Sequence, residues 1–198
     1  MTTIEPMTLD RTWLQGSEKK PAPMPLLLVQ AFVNTLDLEE GTDVLADADA
    51  ARDWLTDASL LGQGVSASAA ELSRAREVRE ALRWLLRRED ETREAHEERL
   101  APLRRLTETH RARLTLDDGG AIGLQSTRYQ NLDDGLFELL LIVRQAQEDG
   151  TWARLKVCGN PDCQWAFYDR SRNQQGSWCD MSLCGNRLKN RELRARRR

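Results

Sequence analysis

A mainly α-helical domain carrying one small β-hairpin, followed by a small four-cysteine module, is the fold class that this 198-residue sequence predicts. Three observations predict it. Apolar residues recur at helical spacing from Leu26 to Val143. They alternate in only one place, around Asp117-Asp118-Gly119-Gly120. All four cysteines, Cys158, Cys163, Cys179 and Cys184, lie in the last forty-one residues as C-x4-C-x15-C-x4-C. The length suits one ordinary domain plus a small module, which we divide as a lead-in over 1–24, a mainly helical domain over 25–150 and the cysteine module over 151–198.

Residues 1–24 are polar and punctuated by proline, with neither a basic start nor an apolar run of signal-peptide length. They read as a loosely attached lead-in, with a short strand near Thr8-Leu9. No stretch approaches the roughly eighteen apolar residues of a membrane span, so a cytoplasmic protein without membrane contact is expected.

Leu26 to Leu36 is apolar except for Gln30, Asn34 and Thr35, and predicts the first buried helix. A second helix, whole or broken, spans Asp43 to Leu61, with Ala50, Ala51, Trp54, Leu55 and Ala58 on one stripe; Gly62-Gln63-Gly64 ends it. Ser68-Ala69-Ala70-Glu71 matches a capping box, in which serine and glutamate each satisfy a free backbone N–H. It opens the strongest helix, striped by Leu72, Ala75, Val78, Leu82, Leu85 and Leu86 and running to about Arg88. Residues 89–109 predict a thinner helix broken around Pro102, since proline lacks the N–H that a helix interior needs. Arg113 to Gln125 reads as the hairpin. Leu136 to Val143 is the core helix, ending near Gly150 and leading straight into the module.

Two close cysteine pairs joined by a medium loop are how a chain delivers four thiolates to one tetrahedral zinc. Four sulfurs close the coordination shell, so the metal is a folding element and not a catalyst. Two disulfides would need an oxidising compartment, and a redox pair usually has C-x-x-C spacing; structural zinc fits best. Cys179 and Cys184 are five apart, about 140° around a regular helix. They cannot both face one metal from it, so Cys179 belongs to the turn before a helix and Cys184 to its first turn, with Asn186 or Asp180 as cap. Short strands at Ala153–Val157 and Trp165–Tyr168 complete a treble-clef outline. Trp165 and Trp178 are expected to pack around the metal, and Trp54 and Trp84 in the core.

The finger, with Cys184-Gly185-Asn186-Arg187 at its fourth cysteine, resembles the CGNR zinc finger, a bacterial module. Asn160-Pro161, Trp165-Ala166-Phe167-Tyr168-Asp169 and Ser171-Arg172-Asn173 are companion features of that resemblance. Ala31-Phe32-Val33-Asn34-Thr35-Leu36 resembles the opening of the ABATE domain, which commonly precedes this finger. Together the two cover about residues 25–198. The resemblance implies a stress-induced transcription regulator that binds DNA.

Charge distribution points the same way. Residues 151–198 hold eleven Lys or Arg against four Asp or Glu, a surplus of seven, whereas residues 1–150 hold eighteen against twenty-eight, a deficit of ten. Four thiolates on Zn²⁺ subtract about two charges and leave the module positive. One half therefore repels a phosphate backbone and the other attracts it. Arg170, Arg172, Arg187, Lys189, Arg191 and Arg194 are the candidate nucleic-acid contacts, and Arg187, Arg191 and Arg194 share a helix face. Trp165, Phe167 or Tyr168 stacking on bases would instead suit single strands or RNA.

No P-loop, G-x-G-x-x-G or nucleophile–base pair is present. His96 and His110 fall on a charged stretch and read as exposed surface, so no enzyme is expected. The function predicted is zinc-dependent DNA binding in transcriptional regulation, with double-stranded DNA as partner and a homodimer to enlarge the contact. RNA binding, or docking of the zinc module on a protein partner, stands as the alternative.

Overall fold

The computed structural model describes residues 20–87, 92–126 and 131–187. The suggested strand at Thr8-Leu9 and the residues Lys189, Arg191 and Arg194 lie outside them.

Helix α1 (Leu26–Val33) is apolar nearly all round, so it can only sit inside. All eight of its residues are buried, between α3 (Ala69–Arg87) and α5 (Leu132–Glu148). A two-residue strand pair, β1 (Leu36–Asp37) and β2 (Thr42–Asp43), follows. The second helical region is broken: a 3₁₀ turn over Val44–Ala46, then α2 (Ala48–Asp57), whose start Asp47 caps by accepting from the Asp49 and Ala50 amides. The capping box at α3 forms as read, with the Ser68 N–H donating to the Glu71 carboxylate and the Glu71 N–H to the Ser68 hydroxyl. A second one opens α5, between Asn131 and Asp134.

Helix α4 (Arg93–Thr109) corrects the expected break at Pro102, because it runs through the proline without interruption. A mid-helix proline costs about 3 kcal/mol. The flanking turns offset it: Thr92 caps the start, and Leu103 and Leu106 are buried against the core. Strands β3 (Ala112–Leu116) and β4 (Ile122–Ser126) form the expected hairpin, with Leu114 opposite Leu124 and Leu116 opposite Ile122. The close approach of α5 to the 58–61 segment depends on Gly135, where an added Cβ would lie 2.0 Å from the Leu60 carbonyl oxygen.

Charged residues on α3 are not all solvated. Arg79 and Arg83 are buried, at 2% and 1% exposure. The Arg79 fork donates to both Asp43 carboxylate oxygens (2.6 and 2.9 Å) and to the Thr35 hydroxyl. Burial works to raise the Asp43 carboxyl, but the hydrogen bonds and charge of Arg79 outweigh it and hold the group below the ordinary carboxylate range.

His110 needs correcting too. Its imidazole is 16% exposed, stacked on Phe137 and 3.6 Å from the buried Asp134 carboxylate. His96 is exposed as read, edge-on to buried Trp84.

Candidate zinc centre and nucleic-acid interface

The module is built from two short strands and two turns. β5 (Leu155–Val157) and β6 (Ala166–Tyr168) pair antiparallel, and the turn between them carries the first two cysteines. Within it the Cys158 N–H donates to the Trp165 carbonyl, and the Cys163 and Gln164 N–H groups both donate to the Asn160 carbonyl. Asp180 caps the second turn, accepting from the Ser182 and Leu183 amides, as one of the two predicted caps. That turn is wide and π-type over Met181–Gly185; Cys184 lies within it and Cys179 just before its Asp180 cap, so the two cysteines are not carried on one regular helix.

The four Sγ atoms lie within 4.8 Å of one another. Cys163 to Cys179 and Cys179 to Cys184 are each 3.7 Å apart. Zinc–sulfur bonds of about 2.3 Å in a tetrahedron place sulfurs about 3.8 Å apart, so the donor set fits one zinc ion. Protonation agrees. Hydrogen bonds from Cys163 and Cys179 pull the Cys158 thiol down, and the same hydrogen bonds, with burial and the charge on Cys158 behind them, push theirs up. Four such groups ionise together only around a dication. No ligand position remains for water, so the zinc is structural. Buried Asn160 points its amide at Cys184 Sγ (3.9 Å), and Trp165 and Trp178 pack on the cluster as expected.

The metal site is fixed to the helical domain by three buried polar side chains. Asn34 acts as a surrogate strand for β6: its Oδ1 accepts from the Ala166 N–H (2.7 Å) and its Nδ2 donates to the Ala166 carbonyl (3.0 Å). Gln30 Nε2 donates to the same carbonyl. Arg83 donates to the carbonyls of Val33 and Leu36 in the helical domain and of Gln164 in the zinc turn. Gln164 adopts a left-handed φ of 49°, uncommon for a residue with a side chain, and is bonded there by Arg83, by its N–H to the Asn160 carbonyl and by its side chain to the Pro161 carbonyl.

These connections bear on family. A model described as "Putative stress-induced transcription regulator", named ABATE, matches residues 27–148. The chain belongs to the ABATE family. A CGNR zinc finger model matches residues 154–197, in the same order as the sequence reading. No curated protein sequence matches the chain. The Gln30 and Asn34 that bind the finger thus lie within the ABATE match, one inside the helix that opens it and the other at that helix's C-terminal cap.

In this ABATE chain the described candidate contacts divide into two kinds. Arg170 donates to the Pro21 carbonyl of the lead-in, and Arg187 pairs with Glu39 of the helical domain, so both are engaged within the chain. Beside Arg187 lies a groove of about 190 Å³ whose lining includes Asp37, Glu39 and Asp180, a poor seat for phosphate. Arg172 is exposed and makes no hydrogen bond or ion pair among the described residues. It stands on the loop 170–176, which is tightly built. Buried Asp169 accepts from the Ser171 and Gly176 N–H groups (3.0 and 2.8 Å) and from Lys156 Nζ (2.9 Å). Burial works to raise the Asp169 carboxyl, and these donors overcome it, leaving the group well below the usual range. Lys156 also donates to the Gln174 and Gly176 carbonyls. None of this was legible in the residues alone, although Asp169 closes the aromatic stretch that the family resemblance singles out. No helix among the described residues is long and apolar enough to cross a membrane.

Proposed function

We propose that this ABATE-family chain is a zinc-dependent DNA-binding regulator of transcription, acting through its finger and without a catalytic step. One observation carries the reading: the module that holds the basic surplus also holds a stiffened loop presenting Arg172, Asn173 and Gln175 to solvent. A pre-ordered loop costs little entropy on binding, and arginine and asparagine are the side chains that read guanine and adenine edges. Lys189, Arg191 and Arg194 supply further phosphate contacts in this reading. Arg170 and Arg187 join only by leaving Pro21 and Glu39.

Titrating duplex DNA binding against salt tests the proposal. About six phosphate contacts give a slope of log K on log salt of roughly −5. Arg172→Ala flattens that slope by about one if it meets phosphate. A slope near zero in the zinc-loaded protein removes DNA as the partner. Tighter binding of an RNA competitor under the same conditions moves the assignment to RNA.

A further inference from the structure

The β3–β4 hairpin displays its aliphatic side chains outward. Leu114, Leu116 and Ile122 are 72%, 72% and 73% exposed, while the helices around them bury nearly all of theirs. Register places Leu114 beside Leu124 and Leu116 beside Ile122, so all four belong to one face. Side chains at this exposure present on the order of 400 Å² of apolar surface, the size of the largest patch on an ordinary monomer, which is often functional.

Two further features adjoin this face. Leu114, Ile122 and Leu124 form one wall of a groove of about 600 Å³, whose opposite side includes Leu141 and Ile142 of α5. The second feature is a free strand edge. Among the described residues β3 pairs only with β4. The Asp117 N–H donates to the Ala121 carbonyl, toward β4. By alternation the backbone groups of Thr115 and Arg113 also point to β4, and those of Leu116, Leu114 and Ala112 point away from it. Among the described residues this edge carries no lysine, proline or bulge, and Arg113 is the one charged residue of β3.

We propose that this face is the interface between two copies of the chain, with their β3 edges paired antiparallel across a two-fold axis. A small apolar molecule filling the groove would cover Leu114, Ile122 and Leu124 but leave Leu116 and the strand edge bare. A second copy covers all of them, because an isologous contact sets edge against edge and apolar face beside apolar face. Charges permit it. With Leu114 on the axis, Arg113 faces Thr115 of the second copy; with Thr115 on the axis, it faces Asp117 of the second copy. Along the paired strands, like charges meet in neither register. A stable interface covers about 800 Å² on each partner, which the exposed leucines alone do not reach, so the proposal requires the groove rims as well, Met24 and the α5 residues Glu138, Arg144 and Glu148 among them. The surface lies on the helical domain, independent of whether the finger binds DNA.

The test is the mass of the intact zinc-loaded chain in solution, by sedimentation across a range of concentrations. Twice the 22.6 kDa chain mass is expected for the native protein. Leu116→Lys and, separately, Leu114→Lys place two ammonium groups near the axis and raise the dissociation constant at least about a hundredfold. Leu38→Lys, at another exposed leucine, leaves it unchanged. Should either hairpin variant fail to fold, amide exchange in the native protein decides, since Ala112, Leu114 and Leu116 must exchange more slowly as concentration rises. A native monomer, a dimer indifferent to both lysines, or concentration-independent exchange on β3 overturns the proposal.

Discussion

Stripping zinc from the protein, or replacing Cys158 with serine, is expected to unfold the finger and to lower the melting temperature of the helical domain as well. Zinc in a four-cysteine site contributes about 10–16 kcal/mol of apparent folding energy. The finger's own cluster is small, around Trp165 and Trp178, and its strand residues Leu155, Ala166 and Tyr168 are buried in the core of the helical domain. Its loss would not stop at the module. Asn34 and Gln30 are buried at 4% and 0% exposure, and both bond Ala166. Without β6, Asn34 loses two hydrogen bonds and Gln30 loses one, at about 1 kcal/mol each, while Gln30 keeps the Ala22 N–H and the Lys20 carbonyl. Calorimetry of metal-loaded and chelated protein checks this. One transition that moves as a whole is expected, whereas an unmoved helical-domain transition would contradict the coupling.

Arg83→Met is expected to destabilise the chain by about 3 kcal/mol or more, because it strips three carbonyls and Glu80 of a buried charged partner. For a chain of this size that is a fall of roughly 10 °C in melting temperature. Burial works to lower the Arg83 pKa, and Glu80 opposes it. Lysine would rescue poorly, since one ammonium cannot span carbonyls on both sides of the fork. Thermal unfolding of the two variants measures this; a methionine variant within about 1 kcal/mol of native would show the fork to be dispensable.

Much of this was legible in the residues. The capping box at Ser68, the hairpin turn, the buried first helix and the four zinc ligands each rest on a local rule, and local rules are what sequence spacing encodes. What escaped was long-range. Nothing near Arg83 announces that the Gln164 carbonyl, eighty-one positions away, will accept its hydrogen bond, so a charged residue beside an apolar stripe reads as surface. Asn34 and Gln30 looked like blemishes in an apolar helix and are its attachment points to the finger. Pro102 read as a break because the burial of Leu103 and Leu106, which holds the helix together, is tertiary. His110 read as exposed because Asp134 and Phe137, which enclose it, belong to another helix.

The central claim is that the zinc-loaded finger recognises DNA while fixed to the helical domain. Selection of genomic fragments by the intact protein at about physiological salt, where non-specific binding is weak, tests it most directly. Recovery of a shared motif, lost on chelation and weakened by Arg172→Ala, is the predicted result. Fragments no richer in any motif than the input, from protein carrying one zinc per chain, would contradict it.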